Sequence, residues 1–291
     1  MATQNQTLWD QFLRPVFELL MDQDGLKREY GSVDWPQVER TYGDPAFDYP
    51  AYYQRQNFHG IEGGYLNPSA AASYDAVTQY VLPPNEVWVR QGLIDAIAGN
   101  PRRIVDLGCG TGSTTLLLKE AFPEADVTGL DLSPYMLYVC DRKAQAASQT
   151  ITWQHGLAEN TPFPAAQFEL VTISLLFHET PSAIAKAILK EAYRLLVPGG
   201  QIVILDGNQA TLRHTGWLTN IFEEPYINDY AQGNLDAWLG AAGFEQVRSQ
   251  DWWWVNQISS ALKPLTSQVV EVIPPQASVE TDLPWDAVPA V

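Results

Sequence analysis

Long apolar runs are missing from this sequence. No stretch of about eighteen uninterrupted apolar residues occurs, so no transmembrane helix is expected. Basic residues are scarce as well: 17 Lys and Arg stand against 34 Asp and Glu, a formal charge of −17. A surface of that sign repels phosphate backbones and anionic headgroups, which sets aside nucleic acids and polybasic membrane docking. It leaves open an apolar substrate drawn from a membrane. Only two cysteines are present, Cys109 in a glycine-rich loop and Cys140 in an expected helix. Neither a disulfide framework nor a metal site is expected from two such thiols without a histidine cluster. The N-terminal residues lack a basic segment followed by a short apolar stretch, so a secretory leader is not expected and a cytoplasmic location is.

What the sequence does contain falls into three zones. Residues 1–100 are rich in aromatics, Gly and Pro, show no strand–helix alternation, and read as an N-terminal helical or loop cap and substrate lid. Residues 101–263 alternate strand-like and helix-like segments. Residues 264–291 are acidic, punctuated by Pro and free of basic residues, as in a flexible tail. No internal repeat is visible.

The middle zone sets the architecture. Arg103–Leu107 is a short apolar run stopped by glycines, the pattern of a buried parallel strand. Helical spacing follows from Gly112 to Phe122, then a strand at Asp126–Leu130. Ser133 is a good N-cap with Pro134 at the first helical position, for a helix running to Ala147. Further strands are expected at Ile151–His155, Phe168–Ser174 and Gln201–Asp206, with an amphipathic helix at Pro181–Leu196 closed by Pro198, Gly199 and Gly200. A helix at Leu235–Ala242 ends before Gly243, and strands at Phe244–Arg248 and Trp252–Val255 complete the set. Alternation of this kind means an α/β fold: a Rossmann-like, doubly wound, seven-stranded and mostly parallel sheet, with ligands at the carboxyl ends of its strands. By alternation Trp253 would oppose Trp252 and Trp254, which reads as core packing or a sheet edge.

The chemistry concentrates in the segment Val105–Ser113. Its glycines Gly108, Gly110 and Gly112 permit a tight turn and a close approach of ligand to backbone. Alone, such a loop could serve a dinucleotide, a nucleoside or a plain strand-to-helix turn. Two acids narrow it. Asp106 precedes the loop, and Asp131 ends the second strand nineteen positions after Gly112, where a carboxylate accepts two hydrogen bonds from a vicinal diol.

The ordered motifs VDLGCGTGS, GLDLS, a strand ending in FHE, and EAYRLLVPGGQIVILD resemble those of class I S-adenosylmethionine (SAM)-dependent methyltransferases over roughly residues 103–258. Their order suggests the branch holding the ubiquinone and menaquinone C-methyltransferases and many small-molecule O- and N-methyltransferases. The resemblance implies SAM as cofactor, with Asp106, Gly108, Cys109, Gly110 and Gly112 around the methionine part. Asp131 would take the ribose hydroxyls, Leu132, Leu157 and Ala158 would close the adenine site, and Ser174 would lie beneath the methionine. Family members often carry an acid where this chain has Leu157, so the Ala158 amide or Glu159 would serve instead.

Methyl transfer needs positioning above all, and a base only where the acceptor must lose a proton. His178 is the base candidate, with Glu179 to orient or polarise it; capping the next helix is the alternative role for His178. The aromatic, glycine-rich stretch from Tyr52 to Leu66 offers Tyr52, Tyr53, His59 and Tyr65 as acceptor contacts, and the segment after the fifth strand offers His214, Trp217 and Tyr226. The expected function is methylation of a small, apolar or aromatic acceptor by a monomer or homodimer. The alternatives are a catalytically silent SAM-binding or assembly protein and an NAD-dependent oxidoreductase.

Overall fold

The computed structural model describes residues 23–54, 64–81, 84–215 and 225–265. His59 and Trp217 lie outside the described residues, and of the expected tail only Pro264 and Leu265 fall within them.

One seven-stranded sheet organises the chain: β1 (Arg103–Leu107), β2 (Asp126–Asp131), β3 (Thr152–His155), β4 (Phe168–Ser174), β5 (Leu196–Gly207), β6 (Glu245–Trp252) and β7 (Asn256–Leu262). Their order across the sheet is β3-β2-β1-β4-β5-β7-β6. The first five run parallel, while β7 is antiparallel to both β5 and β6. Because neighbouring side chains along a strand point to opposite faces, β5 serves two cores at once. Ile202 and Ile204 pack with the helices Ser182–Leu195 and Leu235–Ala241, whereas Val203 and Leu205 pack with the helix Glu86–Asp95. Among the described residues, the helices Gln23–Gly31, Trp35–Tyr42, Ala51–Gln54, Pro68–Val81 and Glu86–Asp95 and a 3₁₀ turn at Gly64–Leu66 come ahead of the sheet.

Two strands differ from the sequence reading. β5 begins at Leu196, so Pro198, Gly199 and Gly200 lie within it, Gly199 at a φ of +79°. The last strand is not Trp252–Val255 but Asn256–Leu262. Trp252 ends β6, the outermost strand, and residues 253–255 form the turn, with Trp253 and Trp254 largely exposed instead of in the core.

The turn from β1 into the helix Ser113–Ala121 explains two glycines. Gly112 has a φ of +78°, and a Cβ there would lie 3.0 Å from the Cys140 sulfur and 3.1 Å from the Trp153 ring. At Gly108 (φ +69°) a Cβ would press to 2.7 Å on Leu176. Ser133 caps the helix Pro134–Ala146: its Oγ accepts from the Met136 amide and donates to the Tyr65 carbonyl, 2.7 Å away. Ser133→Ala removes both contacts. A loss of about 1–2 kcal/mol, read as a melting temperature a few degrees lower by calorimetry, is expected.

Asp106 is fully buried and accepts hydrogen bonds from Thr115 (2.7 Å) and Thr172 (2.8 Å). Burial pushes its carboxyl up to about 6, against the hydrogen bonds and the Arg90 charge that hold it down. The folded state therefore binds this proton more tightly than the unfolded chain. The resulting stability is complete below the unfolded value and lost as pH rises through about 6. Asp106→Asn should abolish that slope. Between pH 4 and pH 7 the parent is expected to lose on the order of 3 kcal/mol relative to the variant, measured by urea unfolding.

Candidate active site

A cleft of about 640 Å³, open mouth included, lies at the carboxyl ends of β1 to β4. Its walls come from the loop after β1 (Gly108, Gly110), the end of β2 (Leu130, Asp131, Leu132), the segment after β3 (Gly156, Ala158, Glu159) and the segment after β4 (Leu176, Glu179, Thr180). Met136 and Ile188 extend it, and Tyr52, Tyr53, Tyr65 and Tyr74 close it from the N-terminal region.

Asp131 is fixed by the backbone it serves. Its Oδ2 accepts from the Gly110 amide and its Oδ1 from the Ser133 amide, both at 2.8 Å. Each oxygen keeps acceptor capacity for a further donor. Burial raises the carboxyl to about 6, although the two amides pull it down. An acid held this way lacks hydrogen bonds that a diol would supply.

The tyrosines act as donors to the other carboxylates. Tyr52 Oη donates to Glu159 Oε1 and Tyr65 Oη to Glu179 Oε1, each at 2.7 Å. Burial, together with the Glu159 charge, holds the Tyr52 phenol well above its ordinary range, and burial does the same for Tyr74. Neither phenol ionises near neutral pH, so neither is a base there.

Behind Glu179 stands His178, in the 3₁₀ turn Phe177–Glu179. Its Nδ1 lies 2.6 Å from Oδ1 of Asp206, and its Nε2 lies 3.8 Å from Oε1 of Glu179. Asp206 is fully buried at the end of β5 and also accepts from the amides of Leu176, Phe177 and Gly207. A carboxylate at that distance accepts from an Nδ1–H and fixes the orientation of the ring.

The cleft thus gathers Tyr52, Tyr53, Tyr65, Gly108, Gly110, Asp131, Leu132, Ala158 and Glu179 from among the residues singled out in the sequence. The rest are placed elsewhere. Asp106 is turned away behind the loop onto Thr115 and Thr172. Cys109 packs with Leu137 and Cys140; both cysteines are free, and burial pushes the Cys109 thiol far up. Gly112 faces Cys140 and Trp153, and Leu157 bridges to Asn160. Ser174 bonds Thr114 and Arg90, and His178 stands behind Glu179. Tyr226 donates to the Tyr52 carbonyl and so supports the wall from outside, while His214 ends an exposed helical turn. Asp206 and Tyr74 were missed. An acid ending a strand signals Asp206, as it did Asp131; nothing in the spacing around Tyr74 marks it.

The donor set can be tested against SAM. The cleft wall carries Asp131, Glu159 and Glu179 and, among the described residues, no Lys, Arg or His. That set matches a ligand bearing a sulfonium, an ammonium and a ribose diol, and at Gly110 a Cβ would meet nothing within 4 Å, leaving space beside Asp131. The residues fit.

Fold and cleft define a nucleoside-binding α/β protein, and comparison with known proteins specifies it. A family model described as a methyltransferase domain matches residues 104–200. A demethylmenaquinone methyltransferase of Thermus thermophilus is 34% identical over 154 residues, 52% of this chain and 69% of that protein. A ubiquinone/menaquinone biosynthesis C-methyltransferase of Desulfotalea psychrophila is 36% identical over 139 residues, 47% of this chain and 54% of that protein. The match thus spans from about half to two thirds of the length of these relatives. Among solved structures, human N-acetylserotonin methyltransferase in complex with SAM shares the fold, with a TM-score of 0.55 at 20% identity, covering 78% of this chain and 62% of that one. The chain belongs to the class I SAM-dependent methyltransferases, whose methyl donor is SAM. Among the described residues no helix is long and apolar enough to cross a membrane.

Proposed function

We propose that this protein transfers a methyl group from SAM to a small aromatic acceptor of the quinol type, by C- or O-methylation. The observation that carries the reading is the cleft itself, whose lining combines Asp131 with four tyrosines and the Glu179 carboxylate. The names of the two relatives, both quinone-biosynthesis methyltransferases, support it.

SAM supplies an activated methyl group on a positively charged sulfur. The chain must hold the acceptor close and in line with it, which contributes several kcal/mol to lowering the barrier. Asp131 accepts the ribose hydroxyls, while Leu132 and Ala158 flank the base and Glu159 accepts at its edge. The tyrosine wall, closed by the residues ahead of the sheet as a lid, seats a planar ring and keeps water from it.

A quinol carbon becomes a strong nucleophile when its ring hydroxyl is deprotonated. Glu179, which faces the cleft, takes that proton. His178 stands behind it as a positioning residue, its Nδ1 held by Asp206 and its Nε2 3.8 Å from Glu179 Oε1. In this reading Glu179 is the base and His178 its support, the reverse of the sequence-based expectation.

The direct test is transfer of labelled methyl from SAM into a fractionated extract of the source cells. Label in the organic phase, in a quinone fraction, is expected. Label confined to water-soluble products would overturn the acceptor class. Donor binding without transfer to any fraction would favour a SAM-binding protein without catalysis.

A further inference from the structure

Aromatic rings left in water mark a surface with a task, since an indole normally buries much of its area. Trp88 is 59% exposed, Trp253 44% and Trp254 68%, with Val87 54% exposed beside them. They form a cluster. The rings of Trp88 and Trp253 stack with centroids 6.2 Å apart, and Trp253 meets Trp252 edge-on at 5.8 Å.

The cluster is held firmly. Trp252 Nε1 donates to the Val89 carbonyl, the Asn208 amide to the Val255 carbonyl, and Thr211 Oγ1 to the Trp254 carbonyl. Trp253 and Trp254 have φ of 45° and 60°, a left-handed backbone that strains bulky residues and that Gly or Asn adopts readily.

Its place in the sheet is informative. Gly207, at the carboxyl end of β5, pairs with Asn256, so the turn at 253–255 lies on the same edge as the cleft. Two to three strand spacings separate it from β4, roughly 10–14 Å.

We propose that this tryptophan cluster is a docking surface for a zwitterionic lipid interface, which brings the mouth of the cleft to a lipophilic acceptor. The inference rests on the quinol reading above. Indoles settle at the boundary between headgroups and acyl chains because one edge is polar and the body is not. Residues 84–89 and 250–257 contain no Lys or Arg, and the chain carries a charge of −17, so an anionic surface is the wrong partner. Four exposed apolar side chains are also few beside the roughly 20–30 residues per side of a stable dimer interface, which favours a lipid surface over a second copy.

The test is co-sedimentation of the full chain with phosphatidylcholine vesicles and, in parallel, with phosphatidylserine vesicles. The parent should partition onto phosphatidylcholine. The double variant Trp88→Gln, Trp254→Asn should lose at least ~10-fold in partition coefficient with SAM affinity unchanged by calorimetry, since Asn suits the left-handed turn. No binding by the parent, equal binding by the variant, or binding to phosphatidylserine alone would overturn the proposal. So would a dimer in sedimentation velocity that the double variant abolishes. Vesicle binding without methylation of a quinol retires only the acceptor reading; methylation without vesicle binding retires only the surface.

Discussion

Asp131→Ala is expected to weaken SAM binding by about 100-fold, close to 3 kcal/mol, with the fold intact. Two charge-assisted hydrogen bonds to a diol disappear, each worth about 1.5–3 kcal/mol, and part of the loss is recovered by water entering the space. The carboxylate also holds the Gly110 and Ser133 amides, so its removal loosens the loop after β1 as well. Asp131→Asn, which keeps an acceptor oxygen, should fall between the two. Because burial raises this carboxyl to about 6, the parent should bind SAM at full strength above pH 7 and lose affinity progressively below pH 6. The sign follows from protonation, which turns an acceptor into a donor facing hydroxyl donors. Reciprocally, bound SAM should lower the Asp131 value. Calorimetry across pH 5 to 8 decides; an affinity unchanged by the Ala variant would remove Asp131 from the site.

Glu179→Gln should lower turnover by about 100-fold or more while SAM affinity stays within a few-fold. Gln keeps the volume and can still accept from Tyr65, so the variant isolates the charge. His178→Gln should cost less, because His178 acts through Glu179, and the double variant should be little worse than Glu179→Gln alone. A fall in turnover at unchanged KM and SAM affinity is a readout that a structural role would not give. Equal, additive losses in the two variants, with KM raised, would show two independent structural roles.

Much of this was legible in the chain. β1 and β4 read directly, since a buried parallel strand is a short apolar run ended by glycine or a polar turn. The Ser133 cap and Asp131 read directly too, because each works through its own side chain at a fixed offset from a glycine or a proline. β7 did not. Its polar residues Asn256, Gln257 and Ser259 are buried by partners distant in sequence: Gln257 accepts from the Gln209 amide, and Ser259 meets Ser249. The neighbouring tryptophans have the composition of a strand and the backbone of a turn. Direction within the site was equally hidden. Sequence spacing places Asp106 and Asp131 as equivalent strand-end acids, yet one side chain turns to Thr115 and Thr172 and the other to the cleft. Likewise the order of His178 and Glu179 does not tell which of them lines the cleft.

The residues before the sheet are fastened to it by an apolar cluster of Tyr53, Tyr65, Ala70, Ala71 and Met136 and by distant hydrogen bonds. Tyr42 donates to Asp141, Tyr52 to Glu159 and Tyr65 to Glu179, while the Asp44 amide donates to His155, whose imidazole burial keeps in the neutral form. Each hydrogen bond is worth about 1 kcal/mol net, and the Lys143–Asp75 ion pair and the packing of Tyr53 and Tyr65 on Met136 add to them. A ligand that fills the cleft touches this segment and the sheet together. Amide hydrogen exchange in residues 42–54 and 64–81 is therefore expected to slow when the cleft is filled, with β1 and β4 exchanging at their own, far lower rate.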